Sequence, residues 1–313
     1  MLLWIADGIL SKERTLGWER NGVFDAEKRW TRGRGRHAVL LGSSTSVDWL
    51  RPRYVEGLFE LPRGSVVDAH INGCHQGCTF AEVRRLIKLR KRYRMAFYGT
   101  NQFQLCEHVH SKRVLQQSMM IPPRDVPDLF GLYLHAEQPL NYVARFLGMA
   151  VSGTYGDTLN LQRTWSRELF GRPARGRQHL WYTTTTPPRP PWLWCDYEPD
   201  RIAYKAALSR ALYQDLRHLA DRVFLMLLPD ENLSSLTPEM AEAWRAHRRL
   251  HRQIADELPH VVLLDLSGPR GARLPRHFKD GFHVSAEGAH LQRQLFERLL
   301  RRGGHIAARQ PPA

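Results

Sequence analysis

Short apolar runs alternate with amphipathic stretches along the chain, a rhythm that predicts strands and helices taking turns. The run 37-HAVLLGS-43 is apolar and ends in small residues, as a buried parallel strand and the turn after it would. Residues 65-SVVDAHINGC-74 predict a second strand. In 79-TFAEVRRLIKLRKRY-93, Val83, Leu86, Ile87 and Leu89 recur at helical spacing among basic residues, and Thr79 with Glu82 reads as a capping box. A third strand is predicted over 95–103.

The rhythm then breaks. From 104 to about 200 the chain carries proline clusters (121-IPPRDVP-127, 187-PPRPPW-192), a threonine run at 183–186 and few clean periods. A stretch this long in an α/β chain predicts an inserted lid or subdomain rather than a bare loop. Trp181, Trp192 and Trp194 lie in it, as a sugar-stacking platform or as subdomain core. Alternation resumes with a helix over 201–222, a strand at 223–229, a helix at 237–258, a strand at 260–267 and a last helix over 285–302. Residues 1–36 read as a lead-in and 303–313 as a disordered tail.

Five strands between helices predict a three-layer α/β/α fold, flavodoxin-like, with a parallel five-stranded sheet. In such sheets chemistry collects at the carboxyl ends of the strands. Four candidate segments sit there: 42-GSSTS-46, 72-NGCHQGC-78, 99-GTN-101 and 280-DGFHVSAEGAH-290. Together they permit acyl transfer. A serine at a sharp strand-to-helix turn is an exposed nucleophile, a histidine takes its proton, and a carboxylate orients the histidine. Asp280 and His283, three apart in a short turn, can face one site. Backbone N–H groups at Gly73 or Gly77, with the Asn101 amide, can point at an oxyanion. Ser43 and Ser46 compete with Ser44 for the nucleophile's place, and Asn72 with Asn101.

In order and placement these blocks resemble the SGNH/GDSL hydrolase superfamily: Gly42-Ser43-Ser44, then Gly73 or Gly77, then Gly99-Thr100-Asn101, then Asp280-Gly281-Phe282-His283. The resemblance covers about 37–103 and 204–302. It implies a serine esterase or acyltransferase with Ser44 as nucleophile, His283 as base and Asp280 as orienting carboxylate. By the same resemblance the Ser44 amide joins Gly73 or Gly77 and Asn101 in the oxyanion hole, and no cofactor is needed. The chain departs from the commonest form at Ser43, where aspartate is usual, and at Gln102. The long insertion is more like the polysaccharide O-acetyltransferase branch, so the acyl acceptor is water or a sugar hydroxyl. The departures motivate a second expectation, a binding or scaffold protein that keeps the fold without turnover.

Composition adds a partner and removes some classes. Lys plus Arg number 46 against 31 Asp plus Glu, a net charge of +15. That excess suits an anionic carrier or surface, or reflects an arginine-rich composition alone. No recognition-helix, zinc-finger or aromatic RNA signature accompanies it. Four cysteines, Cys74, Cys78, Cys106 and Cys195, are too few for a disulfide scaffold. Cys74, Cys78, Cys106, His108 and His110 admit a metal reading, but the spacing fits no standard knuckle. The segment 1-MLLWIADGIL-10 makes a poor secretory signal, and no run approaches the ~18 apolar residues of a membrane span. The default expectation is a soluble cytoplasmic chain, which an anchor upstream of residue 1 would shift to the cell envelope. The expected substrate is a small-molecule or saccharide acyl ester.

Overall fold

The computed structural model describes residues 37–70, 76–101, 199–229, 238–268, 271–272, 274–279 and 283–307. Five strands, β1 (Ala38–Gly42), β2 (Val66–Asp68), β3 (Tyr93–Thr100), β4 (Ala220–Leu227) and β5 (Val261–Asp265), form one sheet. Its order is β2-β1-β3-β4-β5 and every pairing is parallel. This is the flavodoxin-like order, whose switch point lies between β1 and β3. Helices α1 (Ser44–Val47), α2 (Pro52–Leu58), α3 (Gln76–Lys88), α4 (Pro199–Leu219), α5 (Pro238–Glu257) and α6 (Ala286–Arg302) connect the strands.

Side chains on a strand alternate between faces, so the two faces separate by parity. Ala38, Leu40, Phe97, Phe224, Met226 and Leu264 face α6, whose Leu295, Phe296 and Leu300 join them with Trp49, Leu50 and Val55. Phe97 and Phe224 stack at 4.9 Å there. On the opposite face Tyr98 meets Tyr213 of α4 at 6.1 Å, and Arg84 of α3 pairs with Asp215 of α4. The buried strands read as continuous apolar runs because both faces are covered.

The expected boundaries need several corrections. Helix α3 begins at Gln76, three residues before Thr79. Thr79 and Glu82 are therefore not a capping box; both are buried inside the helix's packed face. Strand β4 begins at Ala220, directly after α4 and three residues before the expected boundary; its exposed Asp221 and Arg222 continue the helical pattern in the sequence. Helix α2, not anticipated, starts with Pro52 at a first-turn position. The chain also stays packed past 302: Ile306 lies against the core and the His305 ring meets Phe224 at 5.4 Å.

The chain divides into two compact units, Ala26–Leu105 with Leu208–Ala313, and Met1–Asp25 with Cys106–Ala207. The sheet belongs to the first. The expected insertion at 104–200, its tryptophans and the lead-in at 1–36 lie outside the described residues, save the start of α4.

Between α4 and α5 sits a buried polar pair, the Tyr213 hydroxyl hydrogen-bonded to His251 Nδ1 at 2.8 Å. Burial pushes the His251 pKa down to about 3. The unfolded chain then binds a proton near pH 6.5 that the folded chain refuses until about 3, so stability falls as pH drops through that window. This one group steepens the acid limb by up to about 1.4 kcal/mol per pH unit. Urea titrations across that range should show a shallower acid limb in His251→Phe; the same limb in both proteins would contradict it.

Candidate active site

The site is built at the carboxyl rim of β1 and its neighbours. Gly42 ends β1 with φ +123°, a conformation open to glycine, and a Cβ there would lie 3.0 Å from the Gly99 carbonyl oxygen. Gly42 and Gly99 face each other in the β1–β3 register. Ser46 packs against this glycine pair, fully buried, and its hydroxyl donates to the Ser43 carbonyl at 3.0 Å. Ser43, in extended backbone, caps the following turn by accepting from the Thr45 N–H at 3.5 Å, and its hydroxyl meets Thr45 Oγ1 at 2.9 Å.

These contacts sort four successive hydroxyls. Ser43, Thr45 and Ser46 are buried and engaged within the turn, whereas Ser44 is half-exposed. Its Oγ lies 2.7 Å from His283 Nε2, a hydrogen bond across 239 residues of sequence. Of the three candidate serines, Ser44 alone is brought to the histidine. The Ser44 N–H opens the helical turn, so it has no intrahelical acceptor.

His283 is held by a small closed loop. Phe278 and Val284 form an antiparallel bridge, and the Lys279 N–H donates to the His283 carbonyl at 2.7 Å. A 3-10 turn at Pro275–His277 precedes the loop, and α6 follows it, capped by Ser285, which accepts from the Gly288 N–H at 3.2 Å. The 3-10 turn and α6 touch so closely that a Cβ on Gly288 would lie 2.0 Å from the His277 carbonyl oxygen. Helix α6 is then fixed to the segment carrying Ser44. Arg293 Nε donates to the Trp49 carbonyl at 2.8 Å, the Tyr54 hydroxyl donates to the Arg293 carbonyl at 3.1 Å, and Trp49 meets Phe296 edge-on at 5.5 Å. Lys279 adds a surface ion pair to Asp48 at 3.0 Å.

Asn101 is fully buried directly after β3, across the switch point from Ser44. Gly77 falls in the first turn of α3, where backbone N–H groups lack intrahelical acceptors. The start of that helix is tied to α4 by Gln76 Nε2 donating to Ser209 Oγ at 2.5 Å. Asp280, Gly73, Asn72 and the cysteine and histidine positions 74, 106, 108 and 110 lie outside the described residues, as does the Cys78 side chain.

A further polar pair lies at the same rim. Asp68 ends β2, and its Oδ1 lies 2.9 Å from His70 Nδ1 while accepting the His70 N–H at 3.2 Å. The signal was present as Asp-x-His at a strand end, where an aspartate side chain accepts from the N–H two residues on.

No protein-family model matches the chain, and no curated protein sequence matches it. Among solved structures it is similar to a GDSL-like lipase from Bacteroides thetaiotaomicron, at 12% identity and a TM-score of 0.39, over 92% of this chain and 99% of that one. It is also similar to a catalytic mutant of an acetylxylan esterase from Geobacillus stearothermophilus, at 12% identity and a TM-score of 0.41, over 88% and 100% of the two chains. Likenesses this distant leave the functional reading to the geometry of the site.

Gly288→Ala tests how that geometry is held. The added methyl must force α6 from the 3-10 turn, and His283 lies between those two elements. Thermal unfolding should show a loss on the order of 2 kcal/mol or more, with the His283–Ser44 contact opened in a crystal structure. A variant as stable as the parent, with that contact intact, would contradict this account of the loop.

Proposed function

We propose that the chain is a serine hydrolase acting on ester-linked acyl groups through an acyl-serine intermediate. The observation that carries this reading is the 2.7 Å contact between Ser44 Oγ and His283 Nε2 at the carboxyl rim of a parallel sheet. The resemblance of the four sequence blocks to the SGNH/GDSL superfamily supports it.

In this reading Ser44 Oγ attacks the ester carbonyl carbon while its proton passes to His283 Nε2. The carbonyl oxygen becomes an oxyanion, facing the Ser44 N–H, the Asn101 side-chain amide and a backbone N–H of Gly73 or Gly77. Asp280, three residues before His283, supports the imidazolium. The tetrahedral species collapses, the ester C–O bond breaks, and His283 returns the proton to the departing alcohol. The acyl group now sits on Ser44 Oγ. Water, or an acceptor hydroxyl in the transferase form, attacks that ester while His283 takes the acceptor's proton. Collapse releases the acid or the new ester and restores the Ser44 hydroxyl.

The departure at Ser43 does not weaken this reading. Ser43 caps the turn that presents Ser44, a task that serine and aspartate perform about equally well.

Turnover of p-nitrophenyl acetate provides the test. Ser44→Ala and His283→Ala should each lower kcat by roughly 10⁴-fold or more. Asn101→Ala should lower it by roughly 10²- to 10³-fold. Ser43→Ala and Ser46→Ala should retain chemistry, with losses confined to stability. Equal turnover in the parent and Ser44→Ala would contradict the serine mechanism, and no turnover by the parent would leave a fold used for binding alone.

A further inference from the structure

The sheet has a second pole, opposite the rim that carries Ser44, where the strands begin. Cations gather there. Arg63 precedes β2, Arg90, Lys91 and Arg92 precede β3, Arg94 is the second residue of β3, and Arg222 is the third of β4. All are exposed except Lys91, which is half-buried. Arg92 is paired with Asp221 at 2.7 Å. Arg63, Arg90, Lys91, Arg94 and Arg222 have no carboxylate partner among the described residues. Further acids at the starts of these strands are the exposed Glu60 and the buried Glu56, whose carboxylate accepts from the Gly64 and Val66 N–H groups.

Basic residues often complement the negative ends of helices. That accounts for Arg217 in the last turn of α4 and Arg302 in that of α6. It does not account for Arg63, Arg94 and Arg222, which belong to a turn and two strands. The strands from β2 to β4 span about 15 Å at three inter-strand spacings. That is nearly two screening lengths of about 8 Å at physiological salt, so neighbouring cations reinforce one another while the two ends of the row are largely screened from each other. At this pole, burial first, and then the Arg222 cation, lower the pKa of His305.

One apolar side chain stands in this field. Leu89, 44% exposed, lies between Lys88 and Arg90 at the turn into β3. Among the described residues the only other exposed large apolar side chain is Leu274.

We propose that this amino pole is a docking surface for an anionic lipid bilayer, with Leu89 entering the headgroup region and Arg63, Arg90, Lys91, Arg94 and Arg222 facing lipid phosphates. A leucine ringed by cations matches an interface that offers anionic oxygens and hydrocarbon together. A nucleic-acid backbone offers the charge alone, and the described part of this pole has no exposed aromatic ring on which bases would stack. Docked this way, the Ser44 rim of the sheet faces away from the bilayer, toward substrates in the aqueous phase.

Co-sedimentation of the full chain with vesicles provides the test. Vesicles of phosphatidylcholine alone are compared with vesicles containing phosphatidylglycerol, at low and high salt. Binding should require phosphatidylglycerol and weaken steeply with salt. Each cation near an anionic leaflet strengthens binding roughly fivefold, so Arg63→Glu/Lys91→Glu/Arg94→Glu should weaken it by about 100-fold or more. Leu89→Ser should weaken it severalfold while keeping the salt dependence. An unchanged unfolding midpoint in each variant shows that the fold is intact. The proposal is overturned by equal binding to both vesicle types, by unaltered binding of the charge-reversed variant, or by tight single-stranded DNA binding without vesicle binding. None of these readouts depends on Ser44 chemistry.

Discussion

A hydroxyl and an imidazole 239 residues apart meet because helix α6 is clamped against the turn that carries Ser44. The clamp is mixed in kind. Phe296 of α6, fully buried, contacts Trp49, Tyr54 and Phe97, and truncating an aromatic in such a place typically costs about 3–5 kcal/mol. The Arg293 and Tyr54 hydrogen bonds give this apolar contact a direction, since each ends on a backbone carbonyl and fixes the helix's rotation. The exposed Lys279–Asp48 pair adds little to stability. Apolar packing thus supplies most of the energy, and the polar contacts supply the register that a 2.7 Å hydrogen bond demands.

Close backbone approach is the second constraint. At one end, Gly42 and Gly99 leave room for Ser46 to sit flat against the strand ends, which turns the chain so that Ser44 points outward. At the other, Gly288 lets α6 press on the 3-10 turn, which sets the base of the loop holding His283. The flavodoxin-like strand order puts Ser44 and Asn101 on either side of the switch point. The fold therefore brings His283 to Ser44 and sets buried Asn101 at the end of the neighbouring strand. Its opposite pole is rich in cations.

Much of this was legible in the sequence, for physical reasons that also mark where legibility ended. Strands buried on both faces announce themselves as unbroken apolar runs, as 223-VFLMLLP-229 does. Their polar first residues do not: Asp221 and Arg222 belong to β4 but continue the pattern of the preceding helix. Thr79 and Glu82 mimic a capping box because the sequence cannot tell a helix start from a polar pair buried on its packed face. Ser44 and His283 were identifiable by order and by placement after strands. The choice among Ser43, Ser44 and Ser46 was not, because it rests on which hydroxyls the turn consumes. The Asp68–His70 pair forms just past the end of β2, where Asp68 accepts from the His70 N–H as well as meeting its ring, a local turn contact hidden inside a segment that reads as strand.

The central claim is that His283 activates the Ser44 hydroxyl for attack. Covalent labelling by an alkyl fluorophosphonate, located by peptide mass spectrometry, addresses it directly. The account predicts one phosphonyl group, on Ser44, with labelling slowed by orders of magnitude in His283→Ala. An adduct on another residue, or equally fast labelling without the imidazole, would contradict it.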